Sequence, residues 1–275
     1  LPPLGFNAIT AAIPFMKTFS WLSLFAFILT LAVAATAGEL QVHIKARFFE
    51  VPKEVLATLQ NISHVSDRTT EILTAGETAT LLQELNTNYT VAHLAEPEVV
   101  STSGRQTQMR ATILQTVITN STLQEVSTST GKTNSIVFES EEMEFGPVLN
   151  VIPFISSNGQ KIELSTTASD TKFFGYADPG NSPSRFATNS VGQKVNLPII
   201  LPVLQGNKAS AKITVPDGQT LVLFLKADPQ QDKYPQFIKE QALAQTEKKN
   251  GGELLVALIT PTIVDPAGNR IHPDD

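Results

Sequence analysis

The chain of 275 residues contains no cysteine. That excludes a disulfide scaffold, a thiolate metal site, a cysteine nucleophile and a lipid-modified N-terminal cysteine. Histidine is scarce too: His43, His64, His93 and His272 lie scattered, which argues against a His-rich metal site. Positive charge is short, with 20 Lys+Arg against 26 Asp+Glu and a net charge of −6. The electrostatic footprint of a nucleic-acid-binding protein is therefore missing. Charged residues make up 17%, below the ~25% of ordinary globular domains, so a solvated disordered tail does not dominate. Hydrophobic residues reach 41% and the mean hydropathy is +0.01. Such an average fits one greasy segment plus a polar domain, or apolarity spread throughout. The length allows one large domain or two small ones.

The greasy segment is near the start. Met16-Lys17 opens a short n-region, Trp21 to Ala34 is almost unbroken apolar sequence, and Ala35-Thr36-Ala37 is a small-x-small site before Gly38. These are the three parts of a secretory signal peptide. The run falls short of the ~20 residues of a membrane span and ends in small residues, which disfavours an uncleaved anchor. Residues 1–15 carry no charge, and are expected to be upstream or extension sequence before a start at Met16. Residues 16–37 are then the signal peptide and residues 38–275 the exported part. Its charge would be −7, because removing Lys17 leaves 19 Lys+Arg against 26 Asp+Glu. In a bacterium, export means periplasm or outer membrane.

The exported part is β-rich. Leu40 to Phe48 alternates apolar and polar residues, the period of a half-exposed strand. Phe49 and Val51 invert the phase, so a bulge or a change of environment is expected near Phe48-Phe49. Pro52 is placed to open a short helix through Val55, Leu56 and Leu59. A second helix is expected over Gly76–Leu85, where Thr78, Leu81, Leu82 and Leu85 recur at helical spacing. Strands are expected in 91–100, 108–119 and 135–138, with Ser103-Gly104-Arg105 as a hairpin turn between the first two. Val148–Ile155 and Gln160–Thr167 form a hairpin about Asn158-Gly159, and Pro153 marks an edge or bulge. Residues 177–194 have loop composition. Ser210–Val215 and Thr220–Lys226 flank a Pro-Asp-Gly-Gln turn as a second hairpin, and Glu253–Val264 is a last strand. The class is α+β, β-rich and antiparallel, with two short early helices.

Five of these segments, in order, resemble the C-terminal secretin domain of type II and type III secretion systems and type IV pili. Val42-His-Ile-Lys-Ala-Arg-Phe-Phe-Glu-Val51 is similar to the family's opening V-x-I-x-A-x-x-x-E-V strand. Leu94-Ala-Glu-Pro-Glu-Val-Val-Ser-Thr-Ser-Gly-Arg-Gln106 resembles its block ending in s-G-r-q. Gly146 to Ile155, with Gly159 and Ile162-Glu-Leu164, resembles the G-x-x-L-x-V-x-P-x-I … G-x-I-x-L hairpin. Val215-Pro-Asp-Gly-Gln-Thr-Leu-Val-Leu223 is similar to v-x-d-G-q-T-v-v-v. Glu253 to Val264 resembles the closing E-L-x-i-x-I-T-P-x-I-v. The blocks cover most of residues 40–265.

The resemblance implies a secretin-type sheet that assembles into an oligomeric β-barrel and works as a channel or channel component in protein secretion. It implies an outer-membrane or periplasmic location, further copies of the chain as partners, and the secreted protein or other secretion-system components beside them. Residues 38–275 would be the secretin-like domain, with an insertion or mobile segment at 228–250. Two family features are absent. Leu223-Phe224-Leu225-Lys226 stands where the family has a glycine pair, and Asp228–Lys249 stands where it has a V-P-x-L-G-x-x-P segment. In the family these help to build the gate and the membrane-facing lip. The small repeated domains that precede the barrel in the family are not expected, since the first secretin-like strand follows the leader directly.

Catalytic constellations are poor. His43 sits on a strand's polar face with no neighbouring carboxylate identifiable, as a solvated surface histidine would. Glu139, Glu141, Glu142 and Glu144 form an acidic run, expected to be a solvated face or a weak cation site in an assembled lumen. Ser101-Thr-Ser-Gly104 lacks the strand–turn–helix context of a nucleophile elbow. Asp170, Asp178 and Gly180 are too irregular for a calcium loop. No P-loop, dinucleotide fingerprint or H-E-x-x-H occurs. No catalytic, cofactor-binding or metal-ligating residue is expected, no cofactor and no nucleic-acid partner. Two other readings stay open: a soluble periplasmic secretin-fold binding module without a pore, and an unrelated exported β-rich domain binding carbohydrate or peptide.

Overall fold

The computed structural model describes residues 39–52, 55, 70–88, 90–177, 185–227, 240 and 253–272. All belong to one compact unit, Glu39–Asp275. The segment expected to be a leader, most of the segment expected to form the first helix, and most of 228–250 lie outside the described residues.

The elements run β1 (Gln41–Pro52), β2 (Thr70–Leu73), α1 (Ala75–Thr87), β3 (Ala92–Ala95), β4 (Glu98–Thr102), β5 (Thr107–Arg110), β6 (Ile113–Thr128) and β7 (Gly131–Ile155). Then come β8 (Lys161–Tyr176), β9 (Arg185–Thr188), β10 (Lys194–Leu197), β11 (Pro202–Pro216), β12 (Thr220–Ala227) and β13 (Glu253–Val264). The class is the β-rich, antiparallel α+β expected. Strand order is β3–β1–β13–β12–β11–β8–β7–β5, with β4 on β1, β2 on β12 and β6 on β7. β9 and β10 form a separate pair.

The sheet curls so that its two halves face each other. Val42, Ile44, Ala46 and Phe48 of β1 share one core with Leu221, Leu223 and Leu225 of β12 and Ala257 and Ile259 of β13. Leu149 and Val151 of β7 and Ile162, Leu164 and Ala168 of β8 face them in the same core. Each fully buried Leu, Ile or Phe contributes about 1.5–3 kcal/mol. A second core lies on the other face of β1, β12 and β13, where Phe49, Val51, Val222, Phe224 and Val256 meet Leu73, Leu81 and Leu85. α1 covers that face. Its start is held by a capping box: Thr74 Oγ1 accepts from the Glu77 backbone N–H, and the Glu77 carboxylate accepts from the Thr74 N–H.

This second core explains the inverted phase in β1. Pairing with β13 is continuous from Gln41 to Pro52, so Phe49 and Val51 simply occupy the face that α1 buries. The irregularity between Phe48 and Phe49 lies on the β3 side. Pro52 is the last residue of β1; of the helix expected after it only Val55 is described, and it is helical.

Other expectations need correction. Residues 91–100 form two strands, parted at Glu96-Pro97. The Ser103-Gly104 turn does not make a hairpin: β4 pairs with β1 while β5 pairs with β7, so the turn carries the chain between sheet halves. The 108–119 strand breaks at Ala111-Thr112. The Asn158-Gly159 turn does make its hairpin, with Gly159 at φ +68°. Pro153 lies past Val151, where β5 pairing ends, so its missing N–H costs no strand bond on that side. The Pro216–Gln219 turn is a corner: β11 and β12 pair only at Asn207↔Ala227 and Lys208↔Lys226. Near the turn β11 follows β8 while β12 follows β13 and β2. Within 177–194, expected as loop, Arg185–Thr188 is a strand and pairs with Lys194–Leu197. Asn189 makes that turn possible, its Oδ1 accepting from the N–H groups of Val191 and Gln193.

Candidate functional site

No residue was expected to be catalytic, and the feature that stands out is a long hairpin. β6 and β7 are rich in Thr, Val, Ile and Ser, which suit a pleated surface. They pair antiparallel from Ile113↔Phe145 to Thr128↔Gly131. Beyond the root β7 leaves the hairpin and joins β5 and β8 in the core.

Gly146 makes this departure possible. Its φ is +122°, and an added Cβ would lie 2.6 Å from the Ala111 carbonyl oxygen. The crossing from β5 to β6 therefore passes directly against it. Ala111 N–H donates to the Pro147 carbonyl at 3.0 Å. Phe145 stacks on Phe173 of β8 at 5.6 Å, and Phe173 meets Tyr176 edge-on at 5.3 Å. Tyr176 OH in turn accepts from the Ile118 N–H at 2.9 Å.

The β9–β10 excursion lies beside the outer edge of β6. Ser121 Oγ donates to the Pro198 carbonyl at 2.5 Å, and Arg185 donates to Asn120 Oδ1 at 3.0 Å. The Glu125 carboxylate accepts from Ser190 N–H and lies 3.5 Å from Lys132 Nζ. The Ser190 hydrogen bonds hold its pKa below the usual carboxylate value.

Above the root the β7 arm of the hairpin is open to solvent. Residues 131–142 are all exposed. Ile136, Val137 and Phe138 are consecutive, so both faces show large apolar side chains, Phe138 at 47% exposure. Ile113 and Leu114 are each 66% exposed. From Ile113 to Val117 no described strand pairs with the outer edge of β6.

The acidic run lies on this hairpin, and one expectation about it is corrected. Alternation divides it two and two: Glu139 and Glu141 on one face of β7, Glu142 and Glu144 on the other. Glu139 accepts from Asn120 Nδ2 at 2.9 Å, and both carboxylate oxygens of Glu144 accept from Arg110 Nη1, at 2.7 and 2.8 Å. Among the described residues no three metal-ligating side chains come together.

His43 does have a carboxylate neighbour: Glu98 Oε2 of β4 lies 3.5 Å from its Nε2. Sequence could not supply it, because β4 reaches β1 only through the fold. Beside them Glu96 pairs with Lys45 at 2.7 Å and Arg47 at 2.8 Å. The Lys45 hydrogen bond, followed by that from Arg47, lowers the pKa of Glu96. Ser101 is buried in β4 and accepts from Thr107 Oγ1 at 2.8 Å, while Ser103 Oγ accepts from Ile155 N–H at 3.0 Å. These serines tie β4 to β5 and β7. Asp178 and Gly180 lie outside the described residues.

Asp170, set aside in the sequence as part of an irregular Asp/Gly stretch, is a buried charged residue. It is 2% exposed on the core face of β8, and Lys172 of the same face pairs with Glu50 of β1. Burial pushes the Asp170 pKa up to about 6; Lys172 opposes this and Glu50 adds to it. The signal was available in the alternation Ile162, Leu164, Thr166, Ala168, Asp170, which places an acid in the inward phase.

No protein-family model and no curated protein matches the chain. Among solved structures it is similar to the type II secretin GspD of enteropathogenic Escherichia coli, with TM-score 0.37 and 13% identity over 90% of this chain and 75% of that one. It is similar to the type III secretion injectisome secretin InvG of Salmonella SPI-1, with TM-score 0.30 and 13% identity over 92% and 72%. It is also similar to ExeD of Aeromonas hydrophila, with TM-score 0.32 and 14% identity over 89% and 53%.

Proposed function

We propose that this chain is an exported, secretin-like subunit that assembles with copies of itself into the wall of a protein-secretion channel at the outer membrane. The observation that carries this is the β6–β7 hairpin, exposed on both faces of its β7 arm over residues 131–142 and open along the outer edge of β6 from Ile113 to Val117. A strand edge with unpaired N–H and C=O groups is a template for another strand, and a closed ring removes every such edge. The five sequence blocks that resemble secretins lie in the strands around this hairpin and support the same reading.

The faces of the hairpin suit water on both sides. Lys132, Asn134, Ser140, Glu142 and Glu144 share a face with Ile136 and Phe138, and Thr133, Ser135, Glu139 and Glu141 share the other with Val137. Lipid-facing strands alternate apolar residues along their length, and this hairpin instead fits a lumen wall. β12 supports a departure from the family's gate. Leu223, Phe224 and Leu225 stand at the glycine-pair position and are buried in the two cores, so the gate is not formed there. The protein then works by shape and assembly, without a catalytic step.

Membrane fractionation of cells expressing the full chain, with native-size analysis, tests the proposal. The expected result is a heat- and detergent-resistant ring in the outer-membrane fraction whose subunits begin at Gly38. A monomeric periplasmic pool would replace it with the soluble binding module.

A further inference from the structure

Where the hairpin leaves the sandwich, the core face of β8 turns from apolar to charged. Ile162, Leu164 and Ala168 belong to the main core; Asp170 and Lys172 continue the same face. Pro147, one residue past the Gly146 bend, pairs with Asp170, and Thr171 pairs with Gly146 itself. On the other side Asp170 pairs with Asn207 of β11. The opposite sheet half supplies Glu50, whose ion pair with Lys172 crosses the sandwich from β1 to β8.

Among the described residues, three charged groups therefore meet at the root of the hairpin: carboxylates from Glu50 and Asp170, and the ammonium of Lys172. Pro147 on β7, Asn207 on β11 and Leu255, paired with Glu50 on β13, add no charge. Lys208 and Lys226 belong to the opposite faces of β11 and β12, by alternation with Asn207 and Leu225. Asp170 Oδ2 is buried and has no hydrogen-bond partner. Two carboxylates sharing one ammonium leave a surplus negative charge, and a buried charge without full pairing is costly. A single proton on Asp170 removes it.

We propose that Asp170, Lys172 and Glu50 form a proton-operated latch that ties the two sheet halves together at the root of the β6–β7 hairpin, closed when Asp170 is protonated and loosened when it is ionised. Ionised Asp170 competes with Glu50 for Lys172 and draws water toward the β7–β8 junction. The hairpin root then gains freedom while the apolar core, which ends at Ala168, stays packed. The direction agrees with the raised pKa of Asp170. The latch lies within one chain and does not depend on assembly.

Hydrogen exchange of the full chain, corrected for intrinsic rates, tests it at pH 5 and pH 7.5. Amides of 144–149 and 169–174 should be about tenfold better protected at pH 5, which corresponds to about 1.4 kcal/mol. Those of β1, β12 and β13 should be unchanged. Asp170→Asn, which cannot ionise, should show the protected root at both pH values. Glu50→Gln removes the carboxylate that competes with Asp170, and should shrink the difference; it decides the matter if the first variant does not fold. Equal protection at both pH values, a response spread evenly over the whole sheet, or a difference that survives Asp170→Asn would overturn the latch.

Discussion

Gly146 and Asp170 are two residues on which the hairpin root depends, and each makes a separate stability prediction. At Gly146 the backbone lies in a region that side chains avoid, and a Cβ would meet backbone at 2.6 Å. Gly146→Ala should cost about 1–3 kcal/mol of unfolding free energy, the usual range for such strain, read by urea titration. Gly159→Ala is the control: its φ is also positive but an added Cβ meets nothing within 4 Å, so it should cost less. At Asp170 the sign follows from linkage. Its pKa rises from 3.8 unfolded to about 6 folded, so the native state holds the proton more tightly. The protonated form stabilises the fold at low pH, and that contribution is lost as pH rises from about 4 through about 6. The difference in stability between Asp170→Asn and the natural protein should therefore grow by at most about 3 kcal/mol between pH 4 and pH 8. A difference that stays flat across that window would show that Asp170 titrates as it does in the unfolded chain.

At the scale of elements, local pattern and distant pairing separate cleanly. α1 was legible because Thr78, Leu81 and Leu85 recur at helical spacing, and these three are its buried residues. Its cap adds a test: Thr74→Ala removes the side-chain acceptor for Glu77 N–H and should cost about 1 kcal/mol, seen as a lower melting temperature. β1 was legible by alternation, and the same alternation held the clue to Asp170. The turns at Ser103-Gly104 and Pro216–Gln219 were legible as turns, yet not for what they join. A turn signal is local, and whether its flanking strands pair with each other depends on which neighbours bury their faces. β4 found β1, and β12 found β13 and β2. The β9–β10 pair was hidden for another reason. Each strand is four residues long, and neither contributes to the main or helix-covered core, so the periodicity that marks β1 has no room to develop. Ala111-Thr112 broke a strand that composition showed as continuous, because Gly146 of β7, not the local sequence, sets the crossing point.

At the scale of the whole molecule, the two cores and the hairpin are separable. Neither core draws on residues 113–145, so the sandwich and the open edge of the hairpin answer to different forces, the first to burial within one chain and the second to unpaired backbone groups. The proposed ring rests on the second alone, and it can be challenged without touching the first. Ile118 N–H points away from β7, toward Tyr176 OH. By the two-residue period of a strand, Thr116 N–H points the same way, onto the edge that no described strand covers. Proline at 116 removes that outward donor and leaves the inward bonds to β7 in place, which is why edge strands accept proline where central strands do not. Thr116→Pro should therefore melt within a few degrees of the natural chain and yet fail to form a detergent-resistant ring. Gln115→Pro is the counterpart, since its N–H points inward at the Met143 pair; it should disturb the hairpin itself, with lost protection along 139–145. If Thr116→Pro assembles as well as the natural chain, copies do not meet through the open edge of β6, and the assembly surface lies elsewhere on the sheet.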